Sequence, residues 1–340
     1  MPGASAPTAT TAPAGPTASR CAERSEARRG ASPCAVDDLA VPRMKPFRSH
    51  RVALRGLDAH VLTWGDPAAP KLFLLHGWMD VAASFQFLVD AFAREWYVIA
   101  PDLRGYGKSA WQPQGYWYPD YVADLEALVD AFAPGEPVDL AGHSLGGNVV
   151  MHYAGVRPAR VRRVISLDAF GIRAEESAAA PEKLAKWLDA LLEQKGFAPY
   201  ASFDAVADRL QKSNPRLPRD KALFLAAHWA EELPDGQIRL ASDPRHRLPF
   251  PTVYRIEETY AIWRNIAAPT LWIAAADSNI PKWLDDHPEG EGATDTFAAV
   301  RRRFAHIPRG TMVTIDDAGH MLHHDQPAAV AKAMEDFLRT

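Results

Sequence analysis

Cysteine is scarce in this chain. The sequence holds two cysteines, Cys21 and Cys34, and both lie near its start. The remaining residues therefore cannot form a disulfide with one another or use a catalytic thiol. This distribution suits a reducing compartment, and we expect a cytoplasmic protein.

Long apolar runs and a basic bias are also missing. No apolar stretch is long enough to span a bilayer, and no apolar centre of a secretory signal precedes the first predicted strand. The formal net charge is −4, and no basic stripe recurs along the chain. These absences argue against a membrane-spanning protein and against a nucleic-acid binder.

The first 43 residues differ in composition from the rest. They are rich in Ala, Pro, Thr and Arg and show no apolar periodicity. Such a segment cannot bury enough apolar surface to fold, so we predict a disordered extension over residues 1–43. An alternative is that translation begins at Met44, directly ahead of the first strand pattern.

Strand and helix patterns alternate over most of the remaining chain. Predicted strands cover residues 51–55, 60–64, 71–75, 96–100, 137–141, 161–167, 269–276 and 311–315. Helical spacing is found at residues 82–92, 119–132, 294–306 and 327–338. Alternation with short connections predicts an α/β fold with a mostly parallel, twisted sheet flanked by helices. The first two strands are expected to pair antiparallel.

The alternation stops between about residues 170 and 266. This stretch has a helical period, many prolines and a set of large aromatic residues: Trp187, Phe197, Tyr200, Phe203, Phe224, Trp229 and Tyr254. We predict a helical cap over residues 170–266, inserted into a core formed by residues 44–169 and 267–340. The insertion follows a parallel strand, so it should cover a site at the carboxyl ends of the strands. Its aromatics either line an acyl or aromatic-ring pocket or belong to an ordinary core.

A serine stands at a conspicuous turn. Residues 142–146 read Gly-His-Ser-Leu-Gly between an apolar strand pattern and a helix-compatible run. This G-x-S-x-G pattern is typical of a nucleophile elbow, a sharp strand-to-helix turn that exposes one serine. The strained turn requires small neighbours, which Gly142 and Gly146 supply. Ser144 is therefore the candidate nucleophile, beside the partial positive charge of a helix N-terminus.

Four motifs occur in a characteristic order: HGW at 76–78, DLRGYG at 102–107, GHSLG at 142–146 and AGH at 318–320. On these motifs the chain resembles the α/β-hydrolase superfamily, and most of all its capped branch of serine hydrolase-like proteins. The resemblance covers about residues 50–340. It implies the α/β-hydrolase fold and a Ser-His-acid triad.

The resemblance assigns the other catalytic roles. His320 is the expected base, because an unassisted hydroxyl is too weakly acidic to attack a carbonyl at neutral pH. Asp277 stands nearly where the family places the acid that orients this histidine. By the usual spacing, however, that slot falls on Ser278. Asp168, at the end of the preceding strand, is the alternative acid found in some members, and the sequence favours Asp277.

The oxyanion hole is expected to use two backbone N–H groups, those of Trp78 and Leu145. His76 is expected to brace the Trp78 loop rather than to react. His323, His324 and Asp325 superficially suggest a metal site, but surface residues at a helix start are the favoured interpretation. We therefore expect no metal ion and no organic cofactor.

These residues predict a serine hydrolase that cleaves a carboxylic ester of a small, apolar or aromatic substrate through an acyl-enzyme intermediate. Serine rather than aspartate at the elbow argues against epoxide hydrolase and haloalkane dehalogenase chemistry. Carbon–carbon bond hydrolysis and thioester or lactone cleavage use the same triad and oxyanion hole, so they remain alternative reactions. A further alternative is a binding protein of this fold without catalysis, although such proteins usually lose a triad member.

Overall fold

A mostly parallel sheet is the centre of the fold. The computed structural model describes residues 44–193, 196–284 and 297–339. The strands within them are β1 (Phe47–Leu54), β2 (Leu57–Trp64), β3 (Lys71–Leu75), β4 (Tyr97–Pro101), β5 (Val138–His143), β6 (Val161–Leu167), β7 (Ala230–Glu232), β8 (Ile238–Leu240), β9 (Thr270–Ala275) and β10 (Gly310–Ile315). Eight of these form one sheet in the order β1-β2-β4-β3-β5-β6-β9-β10. The predicted α/β sheet is therefore confirmed.

Strand direction follows the prediction as well. β1 pairs antiparallel with β2, and β2 pairs antiparallel with β4. The other neighbours in the sheet pair parallel, so the carboxyl ends of β3 to β6, β9 and β10 meet at one edge. The extension predicted over residues 1–43 lies outside the described residues, as does the start of the helix predicted at 294–306.

Alternate side chains of the central strands enter two separate cores. In β3, Phe73 and Leu75 belong to one hydrophobic cluster, whereas Leu72 and Leu74 belong to the other. A strand places successive side chains on opposite faces, and a sheet that is covered on both faces needs apolar residues at every position. This requirement explains the unbroken apolar runs that predicted these strands.

Helices cover both faces of the sheet. They are α1 (Gln86–Ala91), α2 (Tyr118–Phe132), α3 (Leu145–Val156), α4 (Ala180–Leu192), α5 (Phe203–Ser213), α6 (Arg219–Trp229), α7 (Ile256–Arg264), α8 (Ile280–Trp283), α9 (Ala298–Phe304), α10 (Leu322–Asp325) and α11 (Pro327–Leu338). α1 and α11 pack together over one face, and α2, α3 and α7 pack over the other. Among the described helices, none combines the length and the apolar character needed to cross a membrane.

The segment between β6 and β9 corresponds to the predicted insertion. It contains α4 to α7, as expected from its helical period, but also an antiparallel hairpin of β7 and β8. This hairpin was not predicted, because the three residues of β7, Ala-Glu-Glu, show no apolar alternation. The Asp235-Gly236 pair at its turn is a signal that could have indicated it. Part of the segment packs around its own small core, which includes Val206, Leu225 and Ile238.

The inserted segment contacts loops at the carboxyl edge of the sheet. The Trp229 indole donates to Asp80 Oδ1 at 3.0 Å, and Asp80 lies in the loop after β3. The Tyr116 hydroxyl, after β4, donates to Asp243 Oδ2 at 2.8 Å. The insertion is thus held over the edge where parallel strands end, which is where such sheets bind ligands.

Candidate active site

Ser144 lies in the sharp turn between β5 and α3. Its backbone has φ 51° and ψ −113°, a conformation that side-chain-bearing residues rarely adopt and that is typically held at functional sites. A Cβ at Gly146 would overlap the Leu75 carbonyl, and one at Gly142 would overlap the backbone of Gly146. A Cβ at Gly147 would come within 2.5 Å of the Ala169 Cβ. Only glycine allows the strand and the helix to approach this closely.

Three predicted side chains form a continuous chain of hydrogen bonds. His320 Nε2 lies 3.0 Å from Ser144 Oγ, and His320 Nδ1 lies 2.7 Å from Asp168 Oδ2. An ionised carboxylate can only accept, so Nδ1–H donates to Asp168 and Nε2 is left to accept from the serine hydroxyl. The arrangement can therefore draw a proton from Ser144 toward an imidazole whose opposite side faces a negative charge.

Asp168 is held firmly in this position. It follows β6 with φ 48°, and its side chain is fully buried. The Ala275 amide donates to Oδ1 at 3.1 Å, and the Ser278 hydroxyl donates to Oδ2 at 2.5 Å. These bonds compensate the burial of a carboxylate and orient it toward His320.

Asp277, the acid that the sequence favoured, lies outside this chain of hydrogen bonds. Its side chain is 51% exposed, and its Oδ2 lies 2.6 Å from the Arg216 guanidinium. The next residue, Ser278, turns inward to Asp168 instead. The structure thus brings Ser144 and His320 together with the alternative acid, because Asp277 is turned toward the surface.

Neighbouring residues fix the His320 loop. His143 Nε2–H donates to the His320 carbonyl at 2.8 Å, and the Gly319 amide donates to Asp325 Oδ2 at 2.9 Å. The His143 and His320 ring centroids are 4.7 Å apart. Burial, together with the neighbouring His320, holds the pKa of His143 well below its ordinary value, so this ring is neutral.

The predicted oxyanion loop runs alongside the nucleophile. A Cβ at Gly77 would lie 3.2 Å from the Ser144 Cβ, and Leu145 is the first residue of α3. In the described part of the chain, neither the Trp78 amide nor the Leu145 amide donates a hydrogen bond within the protein. Two N–H groups are therefore available beside Ser144 for a ligand oxygen.

His76 braces this loop, in agreement with its expected role. Its Nε2 accepts from the Leu103 amide at 2.9 Å and thereby connects the loop after β3 with the loop after β4. Burial lowers the pKa of His76 to about 4, which keeps the ring uncharged at neutral pH. A neutral ring can accept the Leu103 hydrogen bond, which an imidazolium cannot do.

The Trp78 side chain links the loop after β3 to the inserted segment. It is 56% exposed, and its indole donates to the His246 carbonyl at 3.1 Å. The His246 ring is stacked between Tyr106 and Tyr116, with centroids 3.8 and 3.7 Å away. No role was predicted for His246, because no local pattern marks a histidine that stacks on tyrosines more than 100 residues earlier in the chain.

The interpretation of His323 and His324 as surface residues is wrong. Both side chains are buried, and both face Ser84, whose hydroxyl lies 3.2 Å from His323 Nε2 and 2.6 Å from His324 Nε2. Asp325, which the sequence placed beside them, instead bonds the Gly319 amide and the Asn214 side chain. The polar partners that allow these histidines to be buried are distant in sequence, so no local signal could have revealed them.

Comparison with known proteins agrees with this architecture. Residues 72–333 match the model of the alpha/beta hydrolase family. The chain is 24% identical over 283 residues to the serine hydrolase-like protein of Danio rerio, covering 81% of this chain and 83% of the relative. It is 27% identical over 307 residues to the 3-hydroxybutyrate-oligomer hydrolase of Cupriavidus necator, covering 86% and 95%. The solved hypothetical protein PA1622 from Pseudomonas aeruginosa PAO1 is similar with a TM-score of 0.75 and 25% identity, covering 86% of this chain and 99% of that one.

The relatives differ in the reactions that their names state. One curated relative is named an epoxide hydrolase, and solved neighbours include a thioesterase domain and an esterase. The family match covers more than half of the chain, and the order of its motifs agrees with the fold described above. The resemblance predicted from the sequence is thereby confirmed, and the chain belongs to the alpha/beta hydrolase family as one of its hydrolytic enzymes.

Proposed function

We propose that this hydrolase cleaves carboxylic esters by acyl transfer, with Ser144 as nucleophile, His320 as base and Asp168 as the acid of the triad. One observation carries the proposal: a continuous chain of hydrogen bonds runs from a buried carboxylate through an imidazole to a hydroxyl at a strained elbow. Asp168 replaces Asp277 in this proposal, since Asp277 pairs with Arg216. No part of the reaction requires a metal ion or an organic cofactor.

The first half of the reaction acylates the serine. Ser144 Oγ attacks the ester carbonyl carbon while His320 Nε2 takes its proton, and the imidazolium is stabilised by Asp168. The carbonyl oxygen becomes an oxyanion that accepts hydrogen bonds from the Trp78 and Leu145 amides. Each such donor typically contributes about 3–4 kcal/mol to transition-state stabilisation. His320 then protonates the departing alkoxide, and an alcohol leaves.

The second half releases the acid. A water molecule gives a proton to His320 Nε2 and attacks the acyl carbon, which regenerates the oxyanion on the same two amides. Collapse of this intermediate breaks the bond to Ser144 Oγ, and the serine recovers its proton from His320. The products are a carboxylic acid and a free enzyme.

Two observations favour esters over a carbon–carbon substrate with a carboxylate. Such a substrate needs a basic side chain that faces it, and three of the four basic candidates in the inserted segment have other partners: Arg209 with Tyr200, Arg255 with Glu258, and Arg264 with His306. The fourth candidate, Lys212, lies in the last turn of α5. The relative from Cupriavidus necator is named for a hydrolysis of 3-hydroxybutyrate oligomers, and hydroxy acids in an oligomer are joined by ester bonds.

We further propose that residues 170–266 act as a cap on a core of residues 44–169 and 267–340. The contacts of Trp229 with Asp80 and of His246 with Trp78 support this division, because they hold the insertion against the loop that carries the oxyanion amide. The seven aromatics of the insertion that the sequence analysis named are half-buried, whereas Phe170 and Trp263 are fully buried and Phe250 is 53% exposed. This intermediate burial supports an apolar or aromatic small-molecule substrate.

A substrate panel tests the proposed reaction. Purified wild type and Ser144→Ala are assayed on p-nitrophenyl esters of increasing acyl length, on a matched thioester, on a lactone and on a diketone acid. We expect the highest kcat/KM on an ester and a loss of about 10⁴-fold or more in the variant. A higher kcat/KM on the diketone acid, or full ester turnover by Ser144→Ala, would contradict the proposal.

A further inference from the structure

A second cluster of polar side chains lies directly behind the triad. Asp80, His143 and His323 are all buried, and one ligand-type atom from each lies within 4.8 Å of the other two. The His143 ring is 4.5 Å from the His323 ring and 4.7 Å from the His320 ring. The proposed acyl transfer gives no role to Asp80 or to His323.

Each member of this cluster has one atom without a partner. Among the described residues, Asp80 Oδ2, His143 Nδ1 and His323 Nδ1 are buried and make no hydrogen bond. An unsatisfied buried polar atom destabilises the folded state, and such atoms are uncommon in folded proteins. Three of them in one place indicate a site that a ligand completes.

The other atoms of the same side chains are held by hydrogen bonds. His143 Nε2–H donates to the His320 carbonyl, which can only accept, so the lone pair of this ring is on Nδ1. His323 Nε2 lies 3.2 Å from the Ser84 hydroxyl, which leaves Nδ1 as the ring nitrogen without a partner. Metal-binding histidines typically donate their second ring N–H in this way, which fixes the tautomer and aims the lone pair.

Hydrogen bonds also fix the orientation of the Asp80 carboxylate. Its Oδ1 accepts from the Val81 amide at 2.9 Å and from the Trp229 indole at 3.0 Å. These two bonds orient the carboxylate, and they leave Oδ2 as the atom without a partner. The set therefore presents two imidazole nitrogens and one carboxylate oxygen from residues whose positions are already fixed.

We propose that Asp80, His143 and His323 form an inhibitory site for a divalent transition metal ion such as Zn²⁺. Two imidazoles and one carboxylate are a ligand set that zinc accepts, with a fourth position left for water. Zinc binds such ligands at about 2.0–2.2 Å, so the three atoms must draw closer together when the ion enters. This contraction moves Asp80 toward His143.

Inhibition follows from where the charge is placed, and this part rests on the proposed function. A divalent cation on His143 lies one ring away from His320 and opposes the positive charge that His320 acquires when Ser144 loses its proton. Displacement of Asp80 also shifts the loop that carries the Trp78 amide, two residues earlier. Both effects slow the acylation of Ser144.

Equilibrium dialysis against Zn²⁺ tests the site without any assay of activity. The metal-free full chain is compared with Asp80→Asn, which keeps an oxygen for the Val81 and Trp229 bonds, and with His323→Gln. His152→Gln is the matched control, because it removes a histidine of α3 that bonds Tyr118 and lies outside the cluster. We expect one Zn²⁺ per wild-type and control chain, and an affinity at least about tenfold lower in both cluster variants.

Two results would overturn the metal site: no stoichiometric Zn²⁺ on the wild type, or cluster variants that bind as tightly as the control. The unfolding midpoint of each variant in urea shows that it is folded before its dialysis result is used.

The inhibitory part is tested by the rate at which a fluorophosphonate modifies Ser144 with and without Zn²⁺. We expect a decrease of about tenfold or more in the wild type and none in Asp80→Asn; equal rates in the wild type would refute inhibition. A wild type that binds Zn²⁺ but never reacts with the probe would count against the proposed function and leave the metal site supported.

Discussion

Two neighbouring strands end beside His320, and each brings a side chain toward its Nδ1 atom. β6 is followed by Asp168, whose Oδ2 lies 2.7 Å from that nitrogen. β9 is followed by a turn that brings the Ser278 hydroxyl to within 2.5 Å of the same Oδ2. Because β6 and β9 are adjacent and parallel, their carboxyl ends converge on one imidazole. Either strand end can therefore place a carboxylate beside the His320 ring.

Exchanging the two side chains tests this convergence. We expect Asp168→Asn to lower kcat on an ester by about 10³- to 10⁴-fold, because the amide cannot stabilise the imidazolium. The double variant Asp168→Asn with Ser278→Asp should recover at least about tenfold of that loss, since a carboxylate at position 278 reaches the same site. Steady-state kinetics of the two variants measure both effects.

Asp277→Asn is the control for this exchange. Its partner Arg216 is a surface residue, so kcat should stay within about twofold of the wild type. A large loss in Asp277→Asn together with a mild effect of Asp168→Asn would return the acid role to Asp277.

The choice between these two aspartates shows what residue spacing can and cannot predict. The turn after a strand was located correctly, but spacing alone does not tell which of two successive residues points inward. Here Ser278 points toward Asp168 and Asp277 toward Arg216. In the same way, the adjacent histidines 323 and 324 were noticed in the sequence, whereas the Asp80 and Ser84 that face them lie about 240 residues earlier.

At the scale of elements, prediction succeeded where one local pattern decides the structure. β3, β6 and α11 have the predicted bounds, because a sheet buried on both faces demands continuous apolar strands and an amphipathic helix must repeat its apolar face. The short β7 carries no such pattern, and its pairing with β8 depends on the turn between them. The contact of the insertion with the Trp78 loop was expected only because the insertion follows a parallel strand, whose carboxyl end lies at the same edge of the sheet.

The elbow is an element whose geometry depends on close packing rather than on composition. The strained φ of Ser144 persists because β5, α3 and the Leu75 end of β3 are pressed together through positions 142 and 146. The sequence pattern predicted this turn because only glycine satisfies both contacts. The pattern could not reveal that His143, the residue before Ser144, lies in a cluster with Asp80 and His323.

At the scale of the whole molecule, buried histidines make folding sensitive to acid. Burial lowers the pKa of His76 to about 4 and that of His324 to about 3, whereas an unfolded chain protonates both near the ordinary value of 6.5. The unfolded state therefore binds more protons below that pH, and the stability these residues contribute is lost as the pH falls from about 6.5. Burial raises the pKa of Asp80 to about 7, which acts in the opposite direction over the same range.

We expect the histidines to dominate this balance. Burial also lowers the pKa of His143 and of His323, so four fully buried rings oppose two carboxyl groups, since burial raises the pKa of Asp139 as it does that of Asp80. The free energy of unfolding should then fall by a few kcal/mol, in order of magnitude, between about pH 7.5 and pH 5. Urea denaturation at the two pH values measures this decrease in the free energy of unfolding. In His76→Gln the decrease between the two pH values should be smaller. An equal or higher stability at the lower pH would contradict this explanation.

Covalent labelling tests whether Asp168 and His320 activate Ser144 at the elbow. Wild type and Ser144→Ala are treated with a fluorophosphonate, and their intact masses are measured. We expect a single adduct on the wild type and none on the variant. A folded wild type that stays unmodified, or an adduct that persists in Ser144→Ala, would contradict this activation.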